Sequence, residues 1–377
     1  MEKSDRGIKI FLIVLSLLLL WIANQTFGRS VKILDNEGDH MSHARVHSVS
    51  EIEKTEMGEG GLSTAVVPFR ALITSGPQKG REVDAVQNIM YRGPSERVVR
   101  EGDRILLYRV DFPDGRKEYA LSAFYRLTPV FLLGAFFALL LLLFGRSKGL
   151  YTLISLGLSI LSIFFVFIPS ILGGWNIYIG AVAVCTYSIL ITILLTNGFS
   201  KKSLVTIIGC TFGVVVAGLM SLYMDKMLEL TGVVDETSIY LSLFNAESPI
   251  NLRGIVFASI LIGSLGAVMD VAMDISSSLY EITLHAPSVK YWQLVKSGLN
   301  VGQDLMGTMA NTLILAYIGG GLSGVLAMSL TSHNLSELFN REGIIVELLQ
   351  AFIGSTAILL TIPMTALMAG VVYIRRN

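Results

Sequence analysis

Three carboxylates stand in or beside apolar segments in the second half of the chain. Asp270 and Asp274 lie in GSLGAVMDVAMDISSSLYEI, and Asp304 lies in GLNVGQDLMGTMAN. A charged side chain at the centre of a membrane-spanning helix costs roughly 2.5–3.5 kcal/mol on insertion scales. Such residues usually face a bundle interior or a water-filled cavity, so the three aspartates are the first candidates for chemistry in this sequence.

The spacing of the first two aspartates predicts a polar stripe on a helix. Asp270, Asp274, either Ser277 or Ser278, and Glu281 recur at intervals of three or four residues. Residues at these intervals share one face of an α-helix.

A second stripe begins the next apolar segment, where Asp304, Thr308 and Asn311 share a face in the same way. Consecutive spans run antiparallel, so both stripes should reach a similar depth. The sequence therefore predicts that Asp270 and Asp274 converge with Asp304, Thr308 and Asn311. They would line one oxygen-rich cavity for a proton or a hard cation.

Two other interpretations of the carboxylates stay open. They could pair structurally with Lys290, Lys296 or waters at the headgroup boundary, or they could serve catalysis. No GxGD, HExxH or GxSxG text is present, so a membrane protease or esterase has no motif support and an enzyme is not favoured. No cofactor is implied, and no metal is assigned.

The composition is that of a multi-pass membrane protein. The chain has 377 residues, of which 52% are hydrophobic and 15% charged, and its mean hydropathy is +0.63. The net charge is zero, so nothing indicates a nucleic-acid partner. Cys185 and Cys210 both fall in apolar segments, which is typical of small buried hydrophobes.

Apolar runs predict eight membrane spans, each near or above the ~20 residues that cross a bilayer. The first belongs to an N-terminal segment, 1–27, that could be a cleaved signal peptide. No A-x-A site follows it, so a retained anchor is favoured. The other seven belong to a membrane domain, 127–377. The eight apolar runs are 8–23, 129–144, 150–168, 177–196, 204–223, 255–275, 305–330 and 345–373.

Residues 28–126 form a water-exposed domain between the first two spans. Of the chain's 29 basic and 29 acidic residues, 15 of each lie in 29–126. Alternating apolar residues separated by turn signals predict about five strands, which suits a small barrel of the oligonucleotide/oligosaccharide-binding (OB) type. Asp114-Gly115 is the best hairpin signal. The predicted strands are 44–50, 65–74, 81–90, 104–110 and 117–125.

His40, His43 and His47 lie close together at the start of this domain. Three neighbouring imidazoles could bind a metal ion, but no carboxylate partners stand at fixed spacing around them. Solvated histidines are therefore the favoured interpretation.

The distribution of lysine and arginine predicts the orientation in the membrane. With eight spans, the basic residues of the short connections all fall on one side, which should be the cytoplasm. Both termini then lie inside and residues 28–126 lie outside. The basic residues are Lys3, Arg6, Lys9, Arg146, Lys148, Lys201, Lys202, Lys290, Lys296, Arg375 and Arg376.

Two motifs resemble the signature region of the YibE/F-like family of multi-spanning membrane proteins. They are LGAVMDVAMDISSSLYEI and GQDLMGTMANTLILAYIGGGL. The texts LITSGPQKGREV, GDRILL and SAFYR of the water-exposed domain match more loosely, and the similarity covers roughly residues 60–373. Transport or permease labels are attached to this family, and the resemblance implies a multi-pass topology and family membership but no substrate.

Two functions follow as expectations. The first is a transporter or permease for a small solute or ion, working through the carboxylate cluster. The second is a non-transporting envelope protein, whose outer barrel binds a ligand or partner while its helices anchor or signal. The lipid bilayer is an expected partner in both cases, and a small solute or cation is an expected partner in the first.

Reporter fusions test the orientation. Fusions at Ser147, Lys202 and Lys290 should report the cytoplasm, and a fusion at Lys79 should report the exterior, because basic connections stay inside. Any one fusion on the opposite side contradicts the eight-span arrangement.

Overall fold

The computed structural model describes residues 2–27, 40–57, 62–91, 97–112, 117–244 and 250–374. They form two compact units, one within Lys32–Leu140 and the other within Met1–Val31 and Leu141–Asn377. The strands are β1 Met41–Val49, β2 Glu53–Met57, β3 Leu62–Ile73, β4 Glu82–Tyr91, β5 Arg104–Asp111 and β6 Lys117–Phe124. The helices are α1 Glu2–Phe27, α2 Leu127–Ser162, a π-helical turn Ile163–Phe167, α3 Ile168–Leu172, α4 Ile177–Asn197, α5 Lys201–Leu228, α6 Glu236–Phe244, α7 Leu252–His285, α8 Tyr291–Gly320, α9 Leu322–Thr331, α10 Leu335–Asn340 and α11 Glu342–Ile374.

Five of the strands close into a small barrel. β1 pairs with β3 and with β5, and the ring continues through β3–β4, β4–β6 and β6–β5. Every pair is antiparallel except β4–β6, which is parallel at Ala85–Tyr119 and Val86–Ala120. The predicted small five-stranded barrel is therefore confirmed.

The barrel closes because alternate residues of each strand are apolar and point inward. Phe69, Ile89, Ile105 and Leu107 are among its fully buried side chains. All five predicted strands are present, while β2 was not predicted. The Asp114-Gly115 turn lies outside the described residues, although the strands that flank it pair antiparallel as expected.

The helical unit is centred on α11, which packs against α5, α7 and α8. Small residues permit the close approach, as is usual where helices pack in lipid. Gly209 of α5 lies against Thr365, and Gly302 of α8 lies against Ile362. Gly266 of α7 and Gly307 of α8, by contrast, face open space.

Helix α1 is part of the same unit. The hydroxyl groups of Ser16 and Tyr187 are hydrogen-bonded, and the ammonium group of Lys9 lies 4.4 Å from the centroid of the Tyr151 ring. The contacts give a retained N-terminal helix a structural role in the bundle.

Six helical stretches of the described residues are long and apolar enough to cross a membrane, and α8 with α9 would make a seventh across a 59° bend. The eight expected spans require that the stretch Leu127–Leu172 be divided. That stretch is broken at Arg146, whose φ of 49° and ψ of −127° are not helical. The break coincides with the predicted connection between the second and third spans.

Basic residues from several connections lie at one end of the helical unit. Lys201 and Lys290 line a common cavity with Ile374, the residue before Arg375. Lys202 lies within electrostatic range of Lys148. These lysines therefore lie at the same end of the helical unit, and the side of the membrane on which this end lies stays a prediction.

The barrel provides a test of its own packing. In the segment 40–126 expressed alone, circular dichroism should be dominated by sheet. Leu107→Ala should lower the free energy of unfolding by about 2–5 kcal/mol, because its fully buried side chain leaves a cavity. Leu72→Ala is the matched control. Leu72 is 39% exposed, so its truncation should cost less than about 1 kcal/mol. A helical spectrum, or equal effects of the two substitutions in denaturant titrations, would contradict this account.

Candidate functional site

The aspartates of α7 lie on the face of the helix that is not packed. Asp270 and Asp274 are both exposed, together with Gly263 and Gly266 further along the same stripe. The opposite face enters the core through residues such as Val268 and Ala272. The two carboxylates lie within electrostatic range of one another, as their four-residue spacing on one helix requires.

The polar residues of α8 are also exposed. Asp304, Thr308 and Asn311 lie on its open side, whereas Gly298 and Gly302 are buried. A helix turns about 100° per residue, so the two residues from Gly302 to Asp304 turn it by about 200°. Asp304 therefore points nearly opposite to Gly302, about 160° away by the shorter way round. Gly302 packs on α11, so Asp304 faces away from that contact. The hydroxyl group of Thr308 donates a hydrogen bond to the carbonyl oxygen of Leu305 at 2.9 Å.

Two contacts fix the antiparallel register of α7 and α8. A methyl group built on Gly298 would lie 2.8 Å from Leu279, and the Tyr317 hydroxyl lies against Gly263. Because the helices are antiparallel, each residue forward along α7 corresponds to one residue backward along α8. Counted from these contacts, Asp274 and Asp304 lie at the same height along the helix axes, to within about one turn, ~5.4 Å.

The same count brings Asp270 level with Thr308. The expected common depth of the two stripes therefore has a structural basis. Their convergence on one cavity stays a prediction, because all five side chains are exposed in the single chain.

None of these carboxylates has a basic partner among the described residues. The ion pairs there involve other acidic residues, so pairing of Asp270, Asp274 or Asp304 with Lys290 or Lys296 finds no support. Unpaired carboxylates on apolar helices need water, a proton or a cation to offset their charge.

The sequence analysis missed a cavity of about 470 Å³ at the other end of the unit, where the bend between α8 and α9 lies. Glu347, Gln350 and Ser259 supply polar groups to its wall. The Gln350 amide donates to the Ser259 hydroxyl at 2.9 Å, and the Glu347 carboxylate packs against Gly321. The consecutive glycines 319–321, and a glutamate inside the apolar run IIVELLQAF, were the available signals.

A second cavity, of about 640 Å³, opens at the basic end. Tyr280, Tyr291 and Tyr373 line it together with Lys201 and Lys290. The hydroxyl groups of Tyr373 and Ser276 are 2.8 Å apart, which ties α11 to α7 beside this cavity. The helical unit thus has a cavity at each end, and each cavity wall includes charged or polar side chains.

The three histidines of the barrel have three different surroundings. His40 Nδ1 lies 3.8 Å from Asp111, and His47 Nδ1 lies 3.8 Å from Glu82. The His43 ring packs edge-on against Tyr125 at a centroid distance of 5.3 Å. Within the described ranges, no three His, Cys, Asp or Glu side chains are grouped as a metal site.

Comparison with known proteins places most of the chain in one family. The sequence profile of the YibE/F-like proteins matches residues 133–375, which contain the whole of α4 to α11. No curated protein and no solved structure matches the chain. The argument for function therefore depends on the geometry of these helices.

Thiol labelling tests whether the polar stripes face water. In a chain carrying Cys185→Ala and Cys210→Ala, Asp270→Cys and Asp304→Cys should react with a water-soluble maleimide in intact liposomes. Val215→Cys, half exposed near the middle of α5, is the control that should stay unlabelled because it faces lipid. If all three cysteines failed equally to react with the maleimide, the polar stripes would not be exposed to water.

Proposed function

This chain belongs to the YibE/F-like family, and we propose that it is a membrane transporter or permease for a small solute or ion. The observation that carries the proposal is the broken helix. An apolar segment long enough to span the membrane is bent by 59° between α8 and α9, beside a cavity whose wall includes Glu347 and Gln350. Irregular backbone at membrane depth is tolerated where it lines a cavity, and transporters build their substrate sites from such discontinuous helices.

The carboxylate stripes supply the polar surface that a transported solute or ion needs. Asp270, Asp274 and Asp304 lie at similar levels on adjacent helices, without basic partners among the described residues. Closely spaced carboxylates do not all ionise at low cost unless they share a proton or a cation. In the proposed mechanism, these carboxylates bind the ion or couple its movement to a proton, with Thr308 and Asn311 lining the route.

The proposed orientation has eight spans, both termini in the cytoplasm and the barrel outside. Division of α2 at Arg146, together with a single bent span from α8 and α9, supports that count. The shared position of Lys201 and Lys290 supports a common cytoplasmic side. The cavity beside Glu347 then opens toward the outer side and the tyrosine-lined cavity toward the cytoplasm.

A liposome flux assay with a panel of ions and small solutes tests the function. Asp270→Asn and Asp304→Asn should each abolish transport, because they remove the charge while keeping the shape of the side chain. Glu236→Gln is the matched control; it lies in the first turn of α6 and should transport normally.

Membrane insertion and elution volume on gel filtration should be the same for all variants. Normal flux through either aspartate variant would refute the role of the carboxylates. Absence of flux for every member of the panel would favour the second function, in which the barrel binds a ligand outside the cell. The observation that favours this alternative is a cavity on the barrel that Arg45 and Arg104 line.

A further inference from the structure

The outer face of the barrel carries two arginines whose placement opposes folding. Arg45 of β1 and Arg104 of β5 are direct cross-strand partners, and both are exposed. Like charges directly opposite one another destabilise a sheet. Neither guanidinium group has an ion pair within the part of the chain that the structure describes.

The nearest carboxylate in sequence does not relieve this repulsion. Asp103 accepts hydrogen bonds from the Arg97 guanidinium at 2.6 Å and from the backbone N–H of Arg100 at 2.9 Å. Arg70, another exposed arginine of the barrel, is by contrast paired with Asp84 at 2.9 Å. The Arg45–Arg104 pair is therefore an uncompensated double positive charge.

The two arginines line a cavity of about 420 Å³. The turn after β3 forms one wall, because the backbone N–H of His43 donates to the Ser75 hydroxyl at 2.9 Å. The Ser75 oxygen is the acceptor of that bond, so the Ser75 O–H can still donate a hydrogen bond to a ligand. The lining residues are His43, Ala44, Arg45, Thr74, Ser75, Arg104, Ile105 and Tyr125.

We propose that this cavity binds a phosphoryl group. Guanidinium groups present paired donors that match phosphate oxygens, and a phosphate monoester carries about −1.5 to −2 charges at neutral pH, which two arginines balance. The bound anion would remove the repulsion between Arg45 and Arg104. Binding and barrel stability are then linked.

The position of the cavity makes a lipid headgroup one source of this phosphate. The backbone N–H of Tyr125 donates to the carbonyl oxygen of Arg104 at 2.9 Å. Two residues later, α2 begins with a run of exposed apolar side chains, among them Val130 and Phe131. The other source is a soluble phosphate monoester outside the membrane. The chemistry is the same for both, and the proposal is independent of transport by the helical unit.

Thermal unfolding of the purified full-length chain tests the site. Sodium phosphate should raise the Tm of the wild-type barrel more than sodium chloride of equal ionic strength, because a ligand of the folded state stabilises it. Arg45→Gln, Arg104→Gln and the double variant should lose this difference. In phosphate-free buffer their Tm should equal or exceed that of the wild type, since the repulsion is gone.

Arg70→Gln is the matched control, an exposed arginine of the same barrel outside the cavity, and it should keep the phosphate response. An equal response in the double variant and in Arg70→Gln would overturn the proposal, as would a fall in Tm of both single variants without phosphate.

Two further arms identify the source. Calorimetry with glycerol 1-phosphate reports a soluble ligand. Native mass spectrometry after exposure to phosphatidylglycerol or to phosphatidylcholine reports a lipid. Binding in either arm that depends on both arginines supports the site and names its source. Binding in neither arm, or binding that the double variant retains, rejects it.

Discussion

The close packing of α11 against α5 and α7 is the constraint on which the helical unit depends. Lipid gives helices no hydrophobic reason to associate, so they rely on tight contact and internal hydrogen bonds. Thr361 and Thr365 are fully buried, yet each donates to a carbonyl oxygen one turn back, at 2.7 and 2.8 Å. Their satisfied hydroxyl groups can therefore lie directly against Gly213 and Gly209.

This packing also decides where the carboxylates lie. The small and branched residues of α7 and α8 lie on the faces that pack against α5 and α11. The stripes that carry Asp270, Asp274 and Asp304 remain on the open faces at one depth. A polar stripe opposite a packed face is the amphipathic pattern of a surface helix, here placed in a segment long enough to cross a membrane. Function is therefore to be sought on these open faces.

Sequence alone predicted what depends on local pattern. Period-two alternation gave five strands of the barrel, and the four-residue spacing of Asp270 and Asp274 gave a common stripe. It missed β2, whose residues EKTEM contain no apolar alternation and which pairs only with β3. It also missed the cavity beside Glu347, because that cavity depends on packing between helices that are distant in the chain. The Arg45–Arg104 pair was hidden for the same reason, since its register is set by the pairing of β1 with β5.

The informative charges in this protein are the uncompensated ones. Paired residues such as Arg70 and Asp84 are explained by the fold itself and contribute little at an exposed site. Unpaired charges of like sign cost free energy in the isolated chain, both for Arg45 and Arg104 on the barrel and for Asp270 and Asp274 on α7. A sequence that keeps such charges must offset them with something outside the described residues. In the two proposals made above, an anion does this at the arginines, and water, a proton or a cation does it at the aspartates. Each cluster would then specify the charge of its ligand before the ligand is identified.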